Sequence, residues 1–141
     1  MARRTVFLDT SFVIALENRA DPHHERAKAL DRELLNVSGT LTLHWGILLE
    51  IGDGYSRLDR RAKGQQLLAR FQNEQGYLVH SITEPLLHEA MKLYIGYSDK
   101  EWSLTDCISF VLMKQEGVME ALTADAHFLQ AGFRALLLEN S

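Results

Sequence analysis

Thr5-Val6-Phe7-Leu8-Asp9-Thr10-Ser11 decides the reading of this chain. Four residues of continuous strand-forming character stop on an aspartate. Two hydroxyl residues follow, and a helical pattern then runs to Glu17. A short unbroken apolar run, rather than an alternating one, predicts a strand buried on both faces. Working outward, the same unit repeats. Asp21-Pro22 opens a helix to about Leu35, with Asp as cap, Pro at the first helical position and Ala27, Leu30, Leu34 and Leu35 on one face. Thr40 to Leu43 is a second strand. Trp45 to Leu58 is helical, and Ala62 to Phe71 continues after a bend. Tyr77 to Ser81 is a third strand, and Thr83-Glu84-Pro85 opens the next helix. Leu104 to Glu116 is a helix that Gly117 ends. Glu120 to Thr123 is a fourth strand, Ala126 to Ala131 a helical turn or two, and Arg134 to Leu138 a fifth strand. Strands that alternate with helices imply an α/β fold with a mostly parallel sheet of about five strands, covered on both faces.

Composition narrows the function. The chain has 141 residues, 46% of them apolar, enough for one core, and we read residues 1–141 as a single domain. Fifteen Lys and Arg against 19 Asp and Glu give a net charge of −4, which excludes a general basic nucleic-acid coat. Any nucleic-acid contact must use a local patch or bound cations. Cys107 is the single cysteine, so no intrachain disulfide forms. The start, Met1-Ala2-Arg3-Arg4, leads into an apolar run too short for a secretory segment, and no run is long enough to span a membrane. The expected location is the cytoplasm.

In parallel α/β sheets, ligands bind beyond the carboxyl ends of the strands. Asp9 follows the first strand and Asp125 lies two residues past the fourth. Asp106 stands in the first turn of the helix after a polar loop. Glu50 lies inside Gly46-Ile47-Leu48-Leu49-Glu50-Ile51-Gly52, where a carboxylate needs pairing, a cation or a proton. Gly46 and Gly54, at i−4 and i+4, would leave space on its helix face. Each acid also has a local explanation. Asp9 and Asp125 could cap helices, Ser103-x-x-Asp106 fits a capping box, and Glu50 could pair with Arg57. Four clustered carboxylates, however, need a cation to stay ionised together. An all-oxygen set suits Mg²⁺ or Mn²⁺, ions that support phosphodiester hydrolysis without a protein nucleophile.

Four segments in order carry a resemblance: Val6-Phe7-Leu8-Asp9-Thr10-Ser11; Ile47-Leu48-Leu49-Glu50-Ile51; Trp102-Ser103-Leu104-Thr105-Asp106-Cys107-Ile108-Ser109; and Ala121-Leu122-Thr123-Ala124-Asp125-Ala126-His127-Phe128. With these the chain resembles a PIN domain of the VapC-type toxin branch of toxin–antitoxin systems. The resemblance implies a three-layer α/β/α fold and Mg²⁺- or Mn²⁺-dependent endoribonuclease activity on tRNA or rRNA loops. It also implies that Asp9, Glu50, Asp106 and Asp125 are the metal-binding, catalytic acids, with Ser11 and Thr105 beside them. A homodimer and a cognate antitoxin are the partners it implies. The same motifs occur in RNA-processing nucleases outside toxin–antitoxin systems.

Arg57, Arg60, Arg61 and Lys63 form a basic cluster at i, i+3, i+4 and i+6, a candidate grip on RNA phosphates, or else a solvated helix face with Asp59 mixed in. A weaker patch spans Arg19, His23, His24, Arg26 and Lys28. Trp45 and Trp102 read as packing residues, Cys107 as a small buried hydrophobe, and His127 as a surface or core residue. An aspartyl-phosphate phosphatase would need an acid at Ser11 and is set aside. A binding module whose acids are only caps and ion pairs is the non-enzymatic alternative.

Overall fold

The computed structural model describes residues 4–139; most of the Met1-Ala2-Arg3-Arg4 start lies outside them. Strands β1 (Thr5–Leu8), β2 (Thr40–His44), β3 (Tyr77–His80), β4 (Glu120–Leu122) and β5 (Arg134–Ala135) form one sheet in the order β3-β2-β1-β4-β5. Every pairing is parallel. The expected mostly parallel sheet is thus wholly parallel. Val6, Phe7 and Leu8 are consecutively buried, as a strand covered on both faces requires.

The covering helices are α1 (Thr10–Glu17), α2 (His24–Asn36), α3 (Trp45–Gly54), α4 (Arg61–Asn73), α5 (Glu84–Gly96), α6 (Leu104–Glu116) and α7 (Ala126–Gln130). The chain leaves β1 for β2 on one side and later returns to β4 on the other. The strand order therefore reverses between β1 and β4, the place where parallel sheets open a crevice.

Several boundaries differ from expectation, each for a local reason. The Asp21 carboxylate accepts from the His23 N–H, making a turn before α2, so the helix starts two residues after Pro22. Ala27, Leu30 and Leu34 face the core, but Leu35 is exposed. The helix expected to Leu58 stops at Gly54, whereas the next one, expected from Ala62, does begin there, at Arg61. The fifth strand has two residues and passes into a 3-10 turn at Leu136–Leu138. Leu136 and Leu137 are both buried within that turn rather than in the strand. Gly117 ends α6 with φ 68°, the left-handed cap expected of it.

Candidate functional site

Asp9 and Asp125 flank the β1/β4 crevice. The Asp9 N–H bonds to the Leu122 carbonyl, carrying the parallel ladder one residue past β1. Asp9 precedes α1 but does not cap it with its side chain. Its Oδ2 instead accepts from Ser11 Oγ and Thr123 Oγ1, each at 2.8 Å. The residue is nearly buried, at 8% exposure. Burial pushes its carboxyl above the usual carboxylate range. The Thr123 and Ser11 hydrogen bonds oppose that shift, and the charges of Asp106 and Asp125 add to it.

Glu50 stands on α3 and is exposed at its surface rather than deep in the core, because its position turns outward from the buried Ile47, Leu48 and Ile51. Its Oε1 accepts from Thr10 Oγ1 at 2.8 Å rather than from Arg57, whose partner is Asp59. The protein packed around the carboxyl still raises it above the usual range. Thr10 opposes this, and Asp9, Asp106 and Asp125 contribute like charge. Gly54 has open space beside it, but Gly46 does not, since a Cβ there would lie 2.7 Å from the His44 ring.

Asp106 does form the expected capping box with Ser103. Its Oδ2 takes the Ser103 N–H at 3.1 Å and also lies 3.0 Å from His127 Nδ1. Asp125 caps α7 through the His127 N–H, and its Oδ1 lies 3.3 Å from the same ring nitrogen. Capping and clustering therefore coexist. His127 is a site residue that sequence reading placed in the background. Its only signal was the spacing Asp125-x-His127, which lets one helical turn fold the ring back onto the cap. Thr10 and Thr123 were likewise missed as individual partners.

Each acid gives one oxygen to the protein: Asp9 Oδ2, Glu50 Oε1, Asp106 Oδ2 and Asp125 Oδ1. Among the described residues no hydrogen bond reaches the other oxygen of any of them. None of the four pairs with a lysine or arginine there either. Ligand atoms of Asp106, Asp125 and His127 lie within 4.8 Å of one another. This donor set fits a divalent cation held by oxygen with one imidazole, an arrangement more favourable to Mn²⁺ than an all-oxygen set.

Ser11 Oγ also accepts from the Ala124 N–H at 3.0 Å, tying the two strand ends together. Thr105 adjoins Asp106, with its carbonyl bonded by Ser109. Cys107 is fully buried, and burial, with the Asp106 charge adding, pushes its thiol up to about 11, so it is no nucleophile. A cavity of about 660 Å³ between α5, α6 and α7 is walled by Tyr97, Trp102, Phe110 and Phe133, with Glu89 at its side, and by none of Asp9, Glu50, Asp106 and Asp125. Trp102 is buried, with its indole N–H on Gln130 Oε1 at 2.9 Å. Trp45, expected to pack, is 43% exposed.

The basic cluster does not share a helix face, because Arg57 and Arg60 precede α4. Arg57 meets Asp59, the Arg60 guanidinium lies 4.9 Å over the Tyr55 ring, Arg61 donates to the Ser56 carbonyl and Lys63 pairs with Glu17. Arg57, Arg60 and Arg61 remain exposed.

Raised carboxyl values carry a stability consequence. Asp9 and Glu50 bind protons more tightly in the folded chain than unfolded. Their contribution is therefore most favourable below the ordinary carboxylate range and is lost as pH rises through their raised folded values. A bound cation offsets that loss. Mn²⁺ at a hundredfold excess over its Kd should stabilise by about 2.7 kcal/mol, and the rise in melting temperature should be larger at neutral pH than at about pH 4. Asp9→Asn should melt higher than wild type without metal and respond less to it. A wild-type melting temperature indifferent to Mn²⁺ at both pH values would refute the cation site.

A PIN domain model matches residues 6–134 of this chain. The 23S rRNA-specific endonuclease VapC20 of Mycobacterium tuberculosis is 29% identical over 130 residues, spanning 91% of this chain and 95% of that protein. The crystal structure of VapC20, a sarcin–ricin loop cleaving toxin, matches with a TM-score of 0.75 at 27% identity, over 91% of this chain and 95% of that one. FitAcB from Neisseria gonorrhoeae matches with a TM-score of 0.65 at 20% identity, over 92% and 94% respectively, a likeness of fold.

Proposed function

This chain belongs to the PIN domain family, and from that premise we propose that it is a divalent-metal-dependent endoribonuclease, the toxin of a type II toxin–antitoxin pair. The carrying observation is the division of labour within the four carboxylates, one oxygen of each tied to protein and the other left for a cation. Asp9, Glu50, Asp106 and Asp125 would hold Mg²⁺ or Mn²⁺, with His127 completing or orienting the set. A divalent cation there supplies Lewis-acid polarisation of the phosphate and an acidified water.

The chain's own residues do the rest. Ser11 and Thr123 hold Asp9 in one rotamer, and Thr10 does so for Glu50. The Ser103 and His127 contacts keep Asp106 from swinging to solvent. Thr105 sits beside it as a substrate or water contact. Such pre-orientation lowers the reorganisation needed when charge develops on the phosphate. Arg57, Arg60, Arg61 and Lys63, on the loop before α4 and its first turn, are proposed contacts to RNA phosphates.

The similarity to VapC20 favours a large-subunit rRNA loop over a tRNA loop as substrate. We further propose a cytoplasmic, single-domain homodimer neutralised by a cognate antitoxin. Among the described residues no helix is long and apolar enough to cross a membrane. Antitoxin-free protein incubated with total RNA should yield discrete fragments with Mn²⁺ or Mg²⁺ and none with EDTA. Their ends identify the loop. Absence of fragments under every metal, together with no effect of Mn²⁺ on melting, would favour the binding-module reading. A monomeric mass at micromolar concentration would overturn the dimer.

A further inference from the structure

An imidazole that this mechanism leaves unused is buried between the helix of Glu50 and the helix of Asp106. His44 is the last residue of β2, fully inaccessible, with its ring 5.9 Å from that of Phe7. The chain enters α3 at the next residue. The Gly46 N–H donates to His44 Nδ1 at 3.0 Å. A ring nitrogen that accepts leaves the proton on the other, so Nε2–H donates to Ser109 Oγ, 2.9 Å away. The Ser109 hydroxyl then donates to the Thr105 carbonyl at 3.1 Å. Burial, with His80 adding, pushes His44 down to about 4, so the ring is neutral at pH 7.

This chain of bonds has two ends. One is the backbone of Gly46, one helical turn before Glu50. The other is the carbonyl immediately before Asp106. The packing around it is tight. A Cβ on Gly46 would meet His44 Cε1 at 2.7 Å and Nδ1 at 2.8 Å, with the Thr105 methyl 3.5 Å off. Ser109 is 1% exposed, and no buried side-chain nitrogen or oxygen among the described residues lacks a partner. Apolar contact alone would let two helices slide by fractions of an ångström. Directional bonds in a dry interior hold them in one register.

We propose that His44 and Ser109 form a positioning strut that sets the separation of Glu50 from Asp106, and thereby the cation site, without touching cation or RNA. The inference rests on the nuclease reading of those acids. Three variants of the full chain test it: Ser109→Ala, which removes the acceptor; His44→Asn, which keeps an oxygen to cap Gly46 but falls short of Ser109; and Ser109→Thr, which keeps the hydroxyl. Mn²⁺ binding is measured by calorimetry on protein verified as folded by cooperative melting, beside wild type and Asp106→Asn.

The expected result is a loss of Mn²⁺ affinity of about 10-fold or more in Ser109→Ala and His44→Asn, the scale seen when outer partners of metal ligands are removed. Ser109→Thr should stay within about twofold of wild type, well inside that scale. Cleavage by the first two should recover as Mn²⁺ is raised, with KM for RNA unchanged. Wild-type Mn²⁺ affinity in folded Ser109→Ala or His44→Asn overturns the strut, as does failure of Ser109→Thr to rescue. If wild type itself binds no Mn²⁺, the nuclease reading falls, and the strut with it. Should Ser109→Ala not fold, His44→Asn decides alone.

Discussion

Asp106→Asn should reduce metal-dependent RNA cleavage by about 10³-fold, equivalent to about 4 kcal/mol of lost transition-state stabilisation. The substitution is chosen because Asp106 has separable duties. Its Oδ2 closes the capping box with Ser103 and meets His127, while its charge belongs to the acid cluster. Asparagine keeps an oxygen for the Ser103 N–H, so α6 retains its start. It removes a negative charge from a set of four, and it offers a cation a neutral, weaker ligand. Melting should therefore be cooperative while Mn²⁺ binding and cleavage collapse together. Single-turnover cleavage of the identified RNA loop is the measurement. A variant within tenfold of wild type would remove Asp106 from the machinery.

Phe128→Ala should cost about 3–5 kcal/mol of stability, the range for emptying a buried aromatic position, against a total of about 5–15 kcal/mol for a small domain. Phe128 is fully buried and touches two other rings. Phe7 lies at 6.0 Å between centroids and Phe110 at 5.0 Å, the latter edge to face at 88°. The placement matters for function as well as stability. Phe7 stands two residues before Asp9, Phe110 one turn after Asp106 and Phe128 three residues after Asp125. Each of the three rings thus lies within about one helical turn, in sequence, of one of three acids. Urea denaturation gives the stability change. Mn²⁺ calorimetry well below the transition should show weaker binding in the alanine variant even while it is folded. Phe128→Leu, which keeps most of the volume, should lose less than about 1.5 kcal/mol. Equal stability of wild type and Phe128→Ala would contradict the packing described.

Asp9 and Asp125 were legible at the outset because a parallel sheet delivers all strand ends to one rim, and both acids immediately follow strands. Asp106 was legible as a cap, and the cap is real; its contact with His127 needed α7 to be laid beside α6. Glu50 was legible for a reason that held in part, since the protein around its carboxyl does raise it. Its neighbours in sequence are apolar, but helical rotation turns it away from them. The basic cluster looked like a helix face because its spacing is helical, yet the helix is broken between Gly54 and Arg61.

Sequence by itself determined the alternation of strands and helices, their approximate bounds, and the presence of acids at the strand ends. These follow from periodicity and capping, which act over a few residues. Tertiary structure alone decided which oxygen of each acid is tied. It paired Thr123 with Asp9 across 114 residues, Thr10 with Glu50 across 40 and His44 with Ser109 across 65. It also brought His127 between Asp106 and Asp125. Those pairings depend on the angles at which helices cross the sheet and on side-chain rotamers set by close packing, and no local pattern in the chain encodes either.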